Sequence, residues 1–144
     1  MLTAFLAGIM ILSIGLTACS TDQASGDATV QMVGQSNVPL FDRAVPADGA
    51  LEAIRQNMYD AEVVSLPDMK IEMTAYTTDA TADEVIAWYD KALAADWTKY
   101  EGEENSGVIV ARWGQDQNIA FVIFYLADPN GGDANSLFME YAWK

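Results

Sequence analysis

Residues 81–97 read TADEVIAWYDKALAADW, and this stretch decides the fold. Thr81 and Glu84 stand three apart, as a capping box requires. The Thr81 hydroxyl accepts from a first-turn N–H, and Glu84 reaches back to the N–H of Thr81. Asp83 and Glu84 also place negative charge at the positive end of a helix. Val85, Ile86, Tyr89, Ala92 and Leu93 then form an apolar stripe, with Trp88 beside it. The pattern predicts a helix over residues 82–95, with Trp97 packing back beyond its end. After it the apolar period changes from 3.6 to 2, which is the signature of strands.

Downstream, residues 97–102 read as a short strand and 101–107 as a turn. Strands follow at 108–113 and 118–126, joined by a hairpin connection at 114–117. The second of these is nearly all apolar, as expected of a central strand. Asp128-Pro129-Asn130-Gly131-Gly132-Asp133 is a turn. The strand at 137–143 closes the sheet, with Leu137, Met139, Tyr141 and Trp143 alternating against Phe138 and Glu140. Upstream, Ala50, Leu51, Ile54 and Met58 recur at helical spacing and predict a helix over 47–59, with Asp48 as its cap. Pro67-Asp68 turns the chain into a strand at 69–78. There Ile71, Met73 and Ala75 face one way and Glu72, Thr74 and Tyr76 the other. The expected class is α+β: one antiparallel sheet of four to five strands with two helices packed on one face. The expected organisation is a signal peptide or membrane anchor at 1–18, an acylated Cys19 and flexible tether through residue 37, and a single domain at 38–144.

Charge and composition exclude several functions. The 144 residues carry 21 Asp and Glu against 7 Lys and Arg, a net charge of -14, and every charged side chain follows Cys19. Such a field repels nucleic-acid phosphates and anionic headgroups, so no nucleic-acid partner is expected. It attracts cations or a basic protein. The chain has no histidine. The common general base near neutral pH is therefore missing, and Ser-His-Asp, Cys-His and imidazole-zinc chemistry are excluded. A single cysteine forms no intrachain disulfide and leaves no thiol pair for redox work.

Residues 2–18 read LTAFLAGIMILSIGLTA. As a helix they would span about 25 Å, slightly short of a ~30 Å hydrocarbon core. Leu16-Thr17-Ala18-Cys19 resembles the lipobox of bacterial lipoproteins: an aliphatic residue, two small residues, then the cysteine. The resemblance implies cleavage before Cys19, a diacylglycerol on its sulfur and an acyl chain on the new amino terminus. Two or more chains hold a protein on a bilayer stably. Met1-Leu2-Thr3 carries no Lys or Arg where a signal peptide has them, which leaves an uncleaved membrane helix as the alternative. Both readings put the domain outside the cytoplasm, at the outer face of the cytoplasmic membrane or another envelope membrane. Residues 20–37, STDQASGDATVQMVGQSN, lack periodicity and read as a tether.

Three further segments resemble small envelope lipoprotein domains to which no activity is attached. They are Val38-Pro39-Leu40-Phe41, Tyr76-Thr77-Thr78-Asp79-Ala80-Thr81-Ala82-Asp83-Glu84-Val85, and the helix with Trp88-Tyr89 that stops at Ala95-Asp96-Trp97. Here Asp42-Arg43 stands where that family has Pro-Gly, and Asp96 where it has Gly. The resemblance covers residues 38–144 and implies the architecture alone.

Candidate sites are few. Asp128, Asn130 and Asp133 are oxygen donors in a Gly-rich loop, the material of a calcium site, but the same residues serve a hairpin turn. Glu101, Glu103 and Glu104 are adjacent in one turn rather than opposed across a cleft, which is wrong for a glycosidase. Asp60 with Glu62, and Asp79 with Asp83 and Glu84, read as loop and cap chemistry. Helices on one face would leave some aromatics bare on the other, a docking patch for a protein or a platform for a sugar. The expected function is non-enzymatic. The chain would be a lipid-anchored accessory or protein-binding subunit of a membrane complex, such as an electron-transfer assembly, with no metal or cofactor of its own. The alternative is a small solute- or glycan-binding lipoprotein.

Overall fold

A computed structural model of the chain describes residues 30–144. The apolar leader, Cys19 and most of the expected tether lie outside these residues. The elements run β1 (Val45–Pro46), α1 (Ala50–Ser65), β2 (Lys70–Thr78), α2 (Ala82–Ala92), β3 (Thr98–Lys99), β4 (Glu103–Asn105), β5 (Val108–Gln115), β6 (Ile119–Leu126) and β7 (Asn135–Trp143). All strand pairs are antiparallel, in the order β1-β2-β7-β6-β5-β3, and β4 also pairs with β5. The α+β class is as expected. There are seven strands rather than four or five: β1 and β4 are two or three residues long and too short to show alternation, and β3 keeps two residues of the strand expected at 97–102. No helix among the described residues is long and apolar enough to cross a membrane.

The capping box forms as written: Glu84 N–H donates to Thr81 Oγ1 at 3.3 Å, and Thr81 N–H donates to Glu84 Oε2 at 2.8 Å. A cap of this kind contributes about 1 kcal/mol. α2 stops at Ala92, three residues before the expected end. Gly49 is the N-cap of α1, its φ of 54° suits glycine, and no side chain caps the helix, so Asp48 does not take the expected role. α1 also runs on to Ser65, six residues past the expected end. Glu62 continues the inward stripe at i+4 from Met58, and a glutamate there reads in sequence as the end of the apolar face.

Register decides the faces. Tyr76, Leu137, Met139, Phe121, Ile123, Tyr125, Ala111 and Trp113 share one face and pack with Val85 and Tyr89 of α2 in the main core. Met73, Ala75, Phe138, Glu140, Val122 and Phe124 point the other way. α1 covers that second face: Arg55 Nη1 donates to the Met73 carbonyl at 3.3 Å, and Glu62 and Leu66 border the same cavity as Glu140 and Phe124. The helices therefore lie on opposite faces, not on one. The second face is apolar enough to need cover, and alternation within a strand does not say which face a given helix takes.

The last strand is central rather than peripheral. β7 pairs along its length with β2 on one side and β6 on the other, from Lys70↔Trp143 to Thr78↔Asn135 and from Ile119↔Trp143 to Leu126↔Ser136. β3 and β4 together form one interrupted edge strand on β5. The expected turn over 101–107 shrinks to Ser106-Gly107, both at positive φ, as a two-residue type I′ hairpin connection requires.

The core also begins earlier than the tether reading placed it. Val33 and Val38 are fully buried, and Met32 bridges Pro39. Val33 N–H donates to the Val38 carbonyl at 2.8 Å, and Gln35 N–H donates to Glu72 Oε2 at 2.9 Å. Gly34, at φ +53°, lies so close to the Glu72 carboxylate that a Cβ there would meet it. The polar run Gly34–Asn37 is the turn that brings the two valines inward.

Tyr89 ties this segment to the rest. Its ring is completely buried, tilted against Phe121 with centroids 4.9 Å apart and edge-on to Trp88 at 4.8 Å. Its hydroxyl accepts from Phe41 N–H at 3.1 Å and donates to Met139 Sδ at 3.4 Å. Burial raises its pKa far above the phenol's usual value, so it stays neutral. Tyr89→Phe leaves the ring in place and strands the buried Phe41 N–H. Urea unfolding should show a loss of about 1–3 kcal/mol, and an unchanged midpoint would mean that this bond does not hold the N-terminal segment.

Candidate functional site

The sequence-flagged residues fall apart into local chemistry. Asp128 Oδ1 accepts from Asn130 N–H at 2.8 Å, and Gly131 N–H donates to the Asp128 carbonyl at 2.9 Å. The Asp128 carboxylate thus serves its own turn. Asn135 Oδ1 accepts from Asp128 N–H at 3.0 Å, and Asn135 Nδ2 donates to the Ala80 carbonyl at 3.1 Å. No group of three or more acidic or cysteine side chains able to hold a metal occurs among the described residues. Glu103 pairs with Arg112 at 3.1 Å, while Glu101 and Glu104 are exposed. Asp60 accepts from Gln56 Nε2.

Arg43 gathers the acids of the β2–α2 corner. It pairs with Asp79 at 2.8 Å and Glu84 at 3.4 Å. Its hydrogen bond holds the Asp79 carboxyl below the usual range. Glu84 is held low first by the Thr81 N–H, then by the Thr81 hydroxyl and Arg43. These groups are solvent-exposed, and such pairs contribute little to stability.

The expected bare aromatic face does not form, because α1 occupies it. Among the described aromatic residues only Tyr100 stands well exposed. Phe41, Trp88, Tyr89, Phe121 and Trp113 instead form a continuous chain of ring contacts. Asp90 finishes its outer end, accepting from Trp113 Nε1 at 3.1 Å and pairing with Lys99 at 2.6 Å.

Two places remain with unassigned capacity. One is an open groove of about 470 Å³ lined by Val30, Gln31, Leu40, Phe41, Asp42, Ala44 and Trp88. Exposed Val30 and neighbouring Met32 extend its apolar surface. The other is a cavity of about 260 Å³ under α1, bordered by Glu62, Arg112 and Glu140. Glu140 is only 2% exposed, and its Oε2 has no hydrogen-bond partner. Burial first, then the Glu62 charge, pushes its carboxyl from an ordinary 4.5 up to about 7, opposed by Arg112. In sequence Glu140 is one polar residue in an alternating strand, and only the register with β6 and the seat of α1 show that it is covered.

No family model matches the chain, and comparison with the curated proteins and with the solved structures found no match.

Glu140 gives stability a definite pH dependence. The folded state holds this proton more tightly than the unfolded chain. Its contribution is therefore complete below about pH 4.5 and is lost as pH rises to about 7. The loss amounts to at most about 3 kcal/mol, at about 1.4 kcal/mol per tenfold change in proton affinity. Glu140→Gln should flatten this fall. Unfolding by urea at pH 5 and pH 8 should show the variant gaining about 1–3 kcal/mol on the wild type at the higher pH only. Parallel curves for the two proteins would assign the effect to other groups.

Proposed function

We propose that the chain is a lipid-anchored, non-enzymatic envelope protein that acts as an accessory or protein-binding subunit of a membrane complex. The observation that carries this reading is the apolar groove at the N-terminal end of the described residues. Leu16-Thr17-Ala18-Cys19 supplies a lipobox-like acylation point. Val30, which lines the groove with Leu40, Phe41 and Trp88, stands eleven positions after Cys19 in the sequence. The segment between Cys19 and Val30 spans at most about 40 Å even when fully extended. The groove is thus confined to the zone just above the bilayer, where a membrane-embedded partner presents its own surface. The acidic domain is repelled by anionic headgroups and drawn to basic protein. An electron-transfer assembly is one such complex, with this chain contributing contacts and no redox centre.

A small solute or glycan is the second occupant of the same groove, favoured by its volume and by the Trp88 and Phe41 rings in its lining. A protein partner would cross-link to a photoreactive residue at Leu40 in intact membranes. A sugar would instead quench Trp88 fluorescence in the isolated protein.

Cys19→Ser should move the protein from the membrane fraction to the soluble fraction and abolish incorporation of labelled fatty acid. Intact mass of the wild type should give a chain beginning at Cys19 with a diacylglycerol and an acyl group. A membrane-bound chain of unmodified full-length mass would replace the lipoprotein reading with an uncleaved helix.

A further inference from the structure

The cavity beneath α1 has a chemistry that neither the fold nor the anchor uses. At its base lies Glu140 of β7, nearly sealed from solvent and with one carboxylate oxygen unpartnered. Glu62 of α1 lines it from the helix side. Leu66, Met69, Val122 and Phe124 supply hydrocarbon walls. Arg112 of β5 stands at the margin with its guanidinium committed to Glu103 of β4 at 3.1 Å, 44% exposed.

We propose that this cavity binds a primary ammonium group on an aliphatic stem, with Glu140 and Glu62 receiving the ammonium and the Leu66–Phe124 wall receiving the stem. The donor set argues for this class and against its rivals. An anion would meet two carboxylates, and the cation in the lining, Arg112, already has a partner. Calcium or magnesium needs six or more oxygen ligands, whereas here two carboxylates are surrounded by hydrocarbon. A neutral apolar ligand would leave the Glu140 oxygen as unpaired as before. An ammonium group offers three donors and a full charge, and its stem tolerates the apolar walls. A charge-assisted bond in a low-dielectric cavity is the strong kind. The volume holds a ligand of a few heavy atoms, below the range of drug-sized sites.

α1 suits the role of a cover. It has no fully buried residue and no side-chain cap at its start, so displacing it slightly breaks little. The charged groups that face Glu140 are Glu62 from α1 and Arg112 from β5, the latter neutralised by Glu103 from β4. An incoming ammonium displaces the proton that Glu140 otherwise keeps near neutrality. Affinity therefore rises with pH across that range.

The test uses the full chain, titrated by calorimetry and by methyl NMR with n-butylammonium, with n-butanol as its neutral counterpart and with Nα-acetyl-lysine amide. Butylammonium should bind saturably, shift the Leu66 and Met69 methyl signals, and bind tighter at about pH 8 than at about pH 6. Butanol, and butylammonium on Glu140→Gln, should each bind at least about tenfold more weakly. Should Glu140→Gln not fold, Glu62→Gln should still weaken binding several-fold. Whichever of butylammonium and the lysine derivative binds tighter assigns the natural source to a free amine or to a protein lysine. Absence of saturation, equal binding of butanol, insensitivity to both variants, or displacement of butylammonium by micromolar calcium would each overturn the proposal.

Discussion

The structure depends on the buried phenol of Tyr89. A tyrosine can be buried whole only if its hydroxyl finds partners, and here both come from elsewhere in the chain. Phe41 brings its N–H from the segment before the helices, and Met139 its sulfur from the central strand. Three parts of the molecule distant in sequence therefore meet at one oxygen. The capping box fixes where α2 starts, and so fixes the height at which Tyr89 enters the sheet. Around it the rings of Phe41, Trp88, Phe121 and Trp113 give edge and tilted contacts that add to simple burial. The β2–α2 corner is held by the same logic. Tyr125 and Asn135 both donate to the Ala80 carbonyl, and Arg43 closes over the corner from outside.

The far face of the sheet is built differently. Its cover, α1, carries an arginine and a glutamate on its inner side, and the strand beneath it carries Glu140. A carboxyl placed there costs stability once it ionises. The two faces thus divide the work. The α2 face supplies the packed core, while the α1 face holds a charge that packing alone does not explain. Val63 and Val64 stand exposed on the outer side of α1.

Much of the architecture was legible in the sequence. Thr81 through Tyr89 carried its own start signal and stripe. The alternation from Val108 onward gave strands whose side-chain faces match the register. The cap bonds of Glu84 and the turn bond of Asp128 are made within a few residues, whereas Asp79 is taken by Arg43, 36 positions away. What was not legible is what forms between distant segments. Strands of two or three residues have no period. The polar turn at Gly34–Asn37 resembles a linker until Val33 and Val38 are seen inside the core. A glutamate at the inner edge of α1 shortened the helix on paper by two turns, since an apolar stripe cannot count a carboxyl as buried.

The sequence by itself determined the class of fold, the acidity and the absence of any imidazole chemistry. These rest on local rules: spacing, caps, turn residues and composition. Tertiary structure alone decided that the last strand lies in the centre of the sheet, that the helices take opposite faces, and that Glu140 and Glu62 share one cavity. The physical reason is the same in each case. Alternation fixes which side chains share a face, but the choice of what covers that face is made by apolar surface from remote parts of the chain seeking cover. A buried carboxyl becomes a site only when that choice brings a second acid over it.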